Sequence, residues 1–435
     1  MPFPWRTARL WAALSALAVP AMAQTGDLAA RIDQAVERTA PQIVEVRHKI
    51  HQNPELGNQE TETAKLVADH LRKLGLEVKT GVAKTGVVAL LRGGRPGPVI
   101  AARADMDALP VVEQTDLPFR STKKATWEGQ EVGVAHACGH DVHTSVLMGV
   151  ASVLASVRGD LPGSILFIFQ PAEEGAPQGE EGGAELMLEE GAFTAFPDAK
   201  PVAAFALHSF PDLTVGEVGL NPGPTMAAVD QFRIRVKGKQ AHGAYPHLGI
   251  DPVVMAAQAI LALQTIRSRT LPALEPSVVT VGIVRGGERF NIIPGEVLLE
   301  GTVRTYKEEI RKQVESRMRE ILDGVTRGGG GSFEMEYQRN APATVNDPAL
   351  TEKVRPLLER ALGAGNVKAV EPTMGGEDFA YFANVVPGVY FRLGVLKPGT
   401  TSGGLHTPTF RADDSSVAVG MKAMARLLAD YLSSR

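Results

Sequence analysis

Three apolar stretches, residues 98–103, 164–169 and 202–207, each run directly into acidic or histidine residues. The first delivers Ala104-Asp105-Met106-Asp107, the second Gln170-Pro171-Ala172-Glu173-Glu174-Gly175, and the third His208. Read as strands, they predict an open α/β sheet, because ligands in such sheets sit in the crevice beyond the strand C-termini. Side chains far apart in sequence can then converge on one site.

The only cysteine among 435 residues lies in His136-Ala-Cys-Gly-His-Asp141. A lone Cys cannot close an intramolecular disulfide. Thiolate and imidazole two residues apart can face one borderline divalent cation if the backbone between them bends, and Gly139 permits the bend. The apolar periodicity of residues 142–157 predicts a helix with Asp141 as its N-cap. Cys138 then lies near a helix N-terminus, where the dipole is expected to lower the thiol pKa.

Upstream, residues 27–50 have helical spacing interrupted by Pro41, which predicts two helical pieces. Residues 60–74 read as an amphipathic helix closed by Gly75. Around Pro224 the texture changes. Strand 230–237, helix 251–267, strands 277–284 and 296–304, helix 307–325 and strand 332–337 make a β-α-β-β-α-β series of ferredoxin-like type, inserted into the chain. After Val345 the α/β texture resumes, and a last helix is expected over residues 415–432.

The first residues carry Arg6 and Arg9, an apolar run from Leu10 to Val19, and Ala21-Met22-Ala23 before Gln24. This is the layout of a secretory signal peptide, with a run too short to span a bilayer at roughly 20 residues, so cleavage after Ala23 is expected. Loss of residues 1–23, which hold two arginines and no acid, moves the formal charge from −4 to −6. With no concentrated basic stretch, nucleic acid and anionic membranes are excluded as expected partners. Export to a periplasm or the medium also exposes a thiol to oxidation, which favours a Cys138 occupied by metal.

Cys138, His140, one of Glu173 and Glu174, His208 and His406 offer more donors than one tetrahedral ion needs, with Asp105 and Asp107 behind them. Two ions can therefore be held. Adjacent glutamates on a turn point different ways, so one can ligate while the other holds the attacking water and moves its proton. That is the equipment for acyl hydrolysis. In the inserted segment, His242 and Asn291 are candidate donors to a developing oxyanion, and Arg304, at a strand end, is a candidate clamp for a carboxylate.

With these residues in view, the chain resembles the metal-dependent amidohydrolase branch of the aminoacylase/carboxypeptidase clan, which contains hippurate hydrolase, N-acyl-amino-acid amidohydrolases and hydrolases of auxin–amino acid conjugates. The likeness is carried by residues 47–55, 104–110, 136–141, 170–175, 241–246, 291–294, 301–305, 376–379 and 405–408, spread over nearly the whole mature chain. It implies a zinc-peptidase-like α/β catalytic domain, residues 24–224 and 341–435, interrupted by a lid, residues 225–340, that often forms a homo-oligomer. It also implies that Cys138, His140, Glu174, His208 and His406 hold two divalent ions with Cys138 bridging, that Glu173 is general base and acid, and that His242 stabilises the tetrahedral intermediate. Zinc, manganese, cobalt and nickel all suit such donors. Gly376 stands where the family commonly has Ser, and the loop 176–183 is long for the family.

The expectation is an exported hydrolase of N-acyl amino acids. A dipeptidase or carboxypeptidase would use the same donors on short peptides. A solute-binding protein would have no need of the water-activating carboxylate.

Overall fold

The computed structural model describes Met1 and residues 28–434; the signal-like segment and its cleavage point lie outside the described residues. An eight-stranded mixed sheet organises one part of the chain. Its order is Glu77–Val82, Gly86–Arg92, Pro162–Gln170, Arg95–Asp105, Pro201–Thr214, Gly388–Leu396, Val218–Leu220 and Val367–Ala369. The four central strands from Pro162–Gln170 to Gly388–Leu396 run parallel. Although only Gly93 and Gly94 connect Gly86–Arg92 to Arg95–Asp105, these strands are not neighbours, because Pro162–Gln170 lies between them.

Both faces of this sheet are buried, as the near-continuous apolar strands require. Val87, Ala89 and Leu91 point to one core, with Ile165, Phe167 and the helices Leu28–Gln52, His140–Ser156 and Ser415–Ser433. Val88, Leu90, Leu166 and Ile168 point to the other, under Phe193, Phe379 and Phe382. The alternation of one residue per face is the strand's own period of two.

Two helix expectations change. Leu28–Gln52 is one continuous helix through Pro41. The proline is exposed, and burial of Ile32, Val36, Ile43 and Ile50 on one face holds both halves against the helices His140–Ser156 and Ser415–Ser433 despite the missing N–H. The helix after Cys138 begins at His140 with Gly139 at its cap in the left-handed region, φ 89°. Asp141 lies inside its first turn, and its carboxylate is taken by Arg47 and His51.

The inserted series forms a separate four-stranded antiparallel sheet, ordered Ser277–Arg285, Glu296–Thr305, Ala228–Lys237 and Ser332–Ala341. One face is covered by helices Pro252–Leu263 and Glu308–Gly328 around Phe232, Leu263, Leu299 and Met318. Asp251 caps the first of these helices, accepting from Val253 N and Val254 N. The short strands Gly223–Met226 and Thr344–Asn346 pair antiparallel at the base, so entry and exit lie side by side.

Inside the lid, Asp230 accepts from Arg311 Nε at 2.8 Å and from Tyr337 Oη at 2.6 Å. Both members of the ion pair are buried. Arg311→Met strands the Asp230 carboxylate and should cost about 3–5 kcal/mol of lid stability. Denaturant titration of wild type and variant checks this, and an unchanged midpoint would refute it.

Candidate metal and catalytic site

The site forms beyond the ends of strands Arg95–Asp105 and Pro162–Gln170 and beside His208, which does not end its strand as the sequence suggested but lies inside Pro201–Thr214. Met106 N–H donates to Gln170 O at 2.8 Å, so the Asp105–Asp107 turn is tied to the strand that leads to Glu173 and Glu174. Gly139 brings Cys138 and His140 to the same edge. A Cβ at Gly139 would lie 2.8 Å from Ser209 Cβ. The left-handed backbone there costs a non-glycine residue roughly 1–2 kcal/mol before any clash. Gly139→Ala should therefore lower the unfolding midpoint and weaken ion binding together, as thermal melts and metal titration would show.

Three overlapping donor groups converge, with ligand atoms within 4.8 Å of one another: Cys138, His140 and His208; Cys138, Glu174 and His406; His140, Glu173 and Glu174. Cys138 is common to the first two, so one thiolate can serve two ions. His140 Nε2 is buried without a hydrogen-bond partner among the described residues, and Glu174 Oε1 lies 2.9 Å from His406 Nε2. Thiolate, imidazole and carboxylate aimed at one place, with a buried ring nitrogen otherwise unsatisfied, suit a borderline divalent cation.

The supporting contacts fix which ring nitrogens face inward. His208 Nδ1 lies 2.9 Å from Ser209 O, which leaves Nε2 toward Cys138 Sγ at 3.3 Å. Asp107 holds His140 Nδ1 at 3.2 Å and accepts from Glu174 N at 2.9 Å, orienting two donors with one carboxylate. Asp105 chiefly serves His143, whose Nδ1 is 2.6 Å away. Ser209 N–H donates to His143 Nε2 at 2.7 Å, so both nitrogens of His143 are used and it is not available as a ligand. Asp105 and Asp107 thus stand behind these donors.

The electrostatics correct one expectation. The Cys138 thiol is pushed well up, not down, by burial and by Glu174, Glu173 and Asp105. Burial and these carboxylates together outweigh the partial charge of the helix end. Burial opposes the charged form of His140, yet Asp105, Asp107 and Glu174 carry it to about 10. Burial and the neighbouring Glu377, Glu174 and Asp378 raise the Glu173 carboxyl well above its usual range.

Other residues at the site carried no assigned role from sequence. Arg103, itself buried, reaches Asp105 at 2.8 Å, Glu377 at 2.9 Å and Asp378 at 3.0 Å. Asp378 N–H approaches Glu173 Oε1 at 3.4 Å. The acids follow Gly376 and were visible in the Gly-Glu-Asp-Phe stretch, but only the folded sheet brings them to Glu173.

The lid candidates divide. Arg304 lines a cavity of about 900 Å³ between the open face of the lid sheet and residues Ala176 to Glu180. It has no ion pair among the described residues, and burial lowers its pKa. Gly376 accounts for part of this arrangement: a Cβ there would meet Val229 Cγ2 at 2.3 Å and Arg304 Nη1 at 3.3 Å. His242 and Asn291 are brought to each other, with Gly243 N–H donating to Asn291 O at 2.8 Å, but neither contacts the metal donors. His242 is exposed, its Nδ1 accepting from Ala244 N at 3.0 Å.

The model for peptidase family M20/M25/M40 matches residues 101–430. An N-acetyl-L-cysteine deacetylase of Bacillus subtilis is 38% identical over 380 residues, 86% of this chain and 85% of the relative. Thermostable carboxypeptidase 2 of Saccharolobus solfataricus is 37% identical over 405 residues, 92% of this chain and 98% of the relative. Among solved structures, a dinuclear metal-binding M20 peptidase of Bacillus subtilis superposes with TM-score 0.77 at 34% identity, covering 92% of this chain and 100% of that one.

Proposed function

Since the chain belongs to the M20/M25/M40 peptidase family, whose named relatives are hydrolases of amide bonds, we propose that it is an exported amidohydrolase acting on N-acyl amino acids. The observation that carries this reading is the division of labour between Glu173 and Glu174. Glu174 alone of the two joins Cys138 and His406 in a donor group, while Glu173 shares one group with Glu174 and His140 and another with Glu377 and Asp378, and its carboxyl is pushed up in pKa.

Cys138, His140, Glu174, His208 and His406 would hold two divalent ions, zinc by preference. Such a pair polarises a carbonyl and makes water acidic enough to lose a proton near neutral pH. Glu173 takes that proton and returns it to the departing amine, a carboxyl of raised pKa being suited to both transfers. Arg304 pairs with the carboxylate of the amino-acid half of the substrate. His242 and Asn291 donate to the developing oxyanion once the lid moves toward the sheet.

The acyl-amino-acid reading is supported by the deacetylase relative, while the Arg304 guanidinium, without an ion pair among the described residues, suits the carboxylate of either substrate class. The carboxypeptidase relative favours short peptides as the second reading. Release of amino acid from acetyl- and benzoyl-amino acids, set against free dipeptides, separates them: a strong preference for dipeptides overturns the first. Export rests on residues 1–23, and N-terminal sequencing of protein collected outside the cytoplasm should begin at Gln24. The exposed Val253, Val254 and Leu261 on the lid helix favour a homo-oligomer through the lid, which light scattering of the mature protein would read directly.

A further inference from the structure

Among the donors, Cys138 and His140 share one turn, while His406 comes from a loop far along the chain. That loop is cross-tied within itself by Gly403 N–H to Thr409 O at 3.0 Å, and its tip is pinned by His406 N–H to Ala137 O at 2.8 Å. Its base is held by something else. Arg47, 1% exposed on the first helix, donates from Nε to Asp141 Oδ2 at 2.9 Å, from Nη2 to Ala412 O at 2.9 Å and from Nη1 to Asp414 Oδ1 at 2.6 Å. Asp141 directly follows His140. Its Oδ2 also meets His51 Nδ1 at 3.0 Å, and His51 Nε2 in turn meets Glu113 at 3.2 Å.

We propose that Arg47 is a positioning residue that locks the Cys138–His140 turn and the His406 loop into one register, so that donors from both reach the same ions. This rests on the metal-hydrolase reading above. The geometry demands a planar fork: one guanidinium bonds acceptors on two separate segments at once, which a lysine ammonium on a flexible stem cannot reproduce. An arginine that served packing alone would not need three different acceptors, one of them the carboxylate next to a metal donor. Helix, turn and loop are far apart in sequence, so their alignment is not set by local chain geometry.

The test titrates the full mature protein, freed of metal by dialysis, with Co²⁺ alone, following both affinity and the thiolate-to-cobalt absorption from Cys138. Arg47→Lys should bind Co²⁺ roughly 10–100-fold more weakly, the range seen when groups that orient metal ligands are lost, with an altered absorption. Asp414→Ala should show a smaller loss in the same direction. Asp414 is partly exposed and makes no capping bond to the last helix, so its removal costs the fold less than loss of the buried Arg47, although it also ends the His48 Nε2 contact at 2.9 Å. Arg311→Lys, in the lid, should lower the melting midpoint and leave cobalt binding unchanged. Wild-type affinity and spectrum in Arg47→Lys and Asp414→Ala would overturn the proposal whatever happens to their stability. Should Arg47→Lys fail to fold, Asp414→Ala decides alone. A wild-type chain that takes up no cobalt would instead remove the metal reading itself.

Discussion

Glu173→Gln should lose turnover of every N-acyl amino acid by about 10²–10⁴-fold, the usual worth of a positioned general base. The amide keeps the size of the side chain but cannot take a proton from water. Because Glu173 is flanked by Glu377, Glu174 and Asp378, the substitution also removes one of several crowded carboxylates. The variant should therefore fold at least as well as wild type and retain its ions. The measurement is steady-state kinetics alongside metal analysis and a thermal melt. Turnover that survives with full metal content would show that the proton goes elsewhere.

Metal withdrawal is the second large effect. Chelation should abolish turnover, and re-addition of a divalent ion should restore it. Ion binding should also stabilise the fold, by about 2.7 kcal/mol at a free concentration about 100 times Kd. The site shows why uptake will depend on pH. The Cys138 thiol is pushed well up and His140 is raised to about 10, so both hold protons at neutral pH before an ion arrives. An ion must displace those protons, so affinity rises as pH rises toward 10 and falls in acid. Calorimetric titration in buffers of different ionisation enthalpy counts the protons directly; release of none would contradict this account.

The structure also explains which sequence expectations failed. The dipole argument for Cys138 considered only the helix that follows it, whereas burial, joined by Glu174 and Glu173 from the end of another strand, reverses the sign. Pro41 read as a break because its local effect is unfavourable, and the helix continues because Ile32, Val36, Ile43 and Ile50 bury one continuous face. Asp141 read as a cap because its type and place suit capping. Arg47, nearly a hundred residues earlier, offers its carboxylate a stronger partner.

What the sequence determined by itself is therefore whatever depends on short range or on period. The lid series followed from alternation and helical spacing, and the place of Asp105, Asp107, Glu173 and Glu174 followed from apolar strands that end before or at them, whereas the strand of His208 runs on to Thr214. Those signals survive folding because strand and helix periods are properties of the chain. Tertiary structure alone decided that His143 is consumed by Asp105 and Ser209 while His140 keeps a free nitrogen. It also decided that Glu173 stands among Glu377, Asp378 and Arg103, and that His242 lies on the lid away from the donors. Each of these turns on which charges come within a few ångströms, and that distance is set by strand order and by the placement of the inserted sheet.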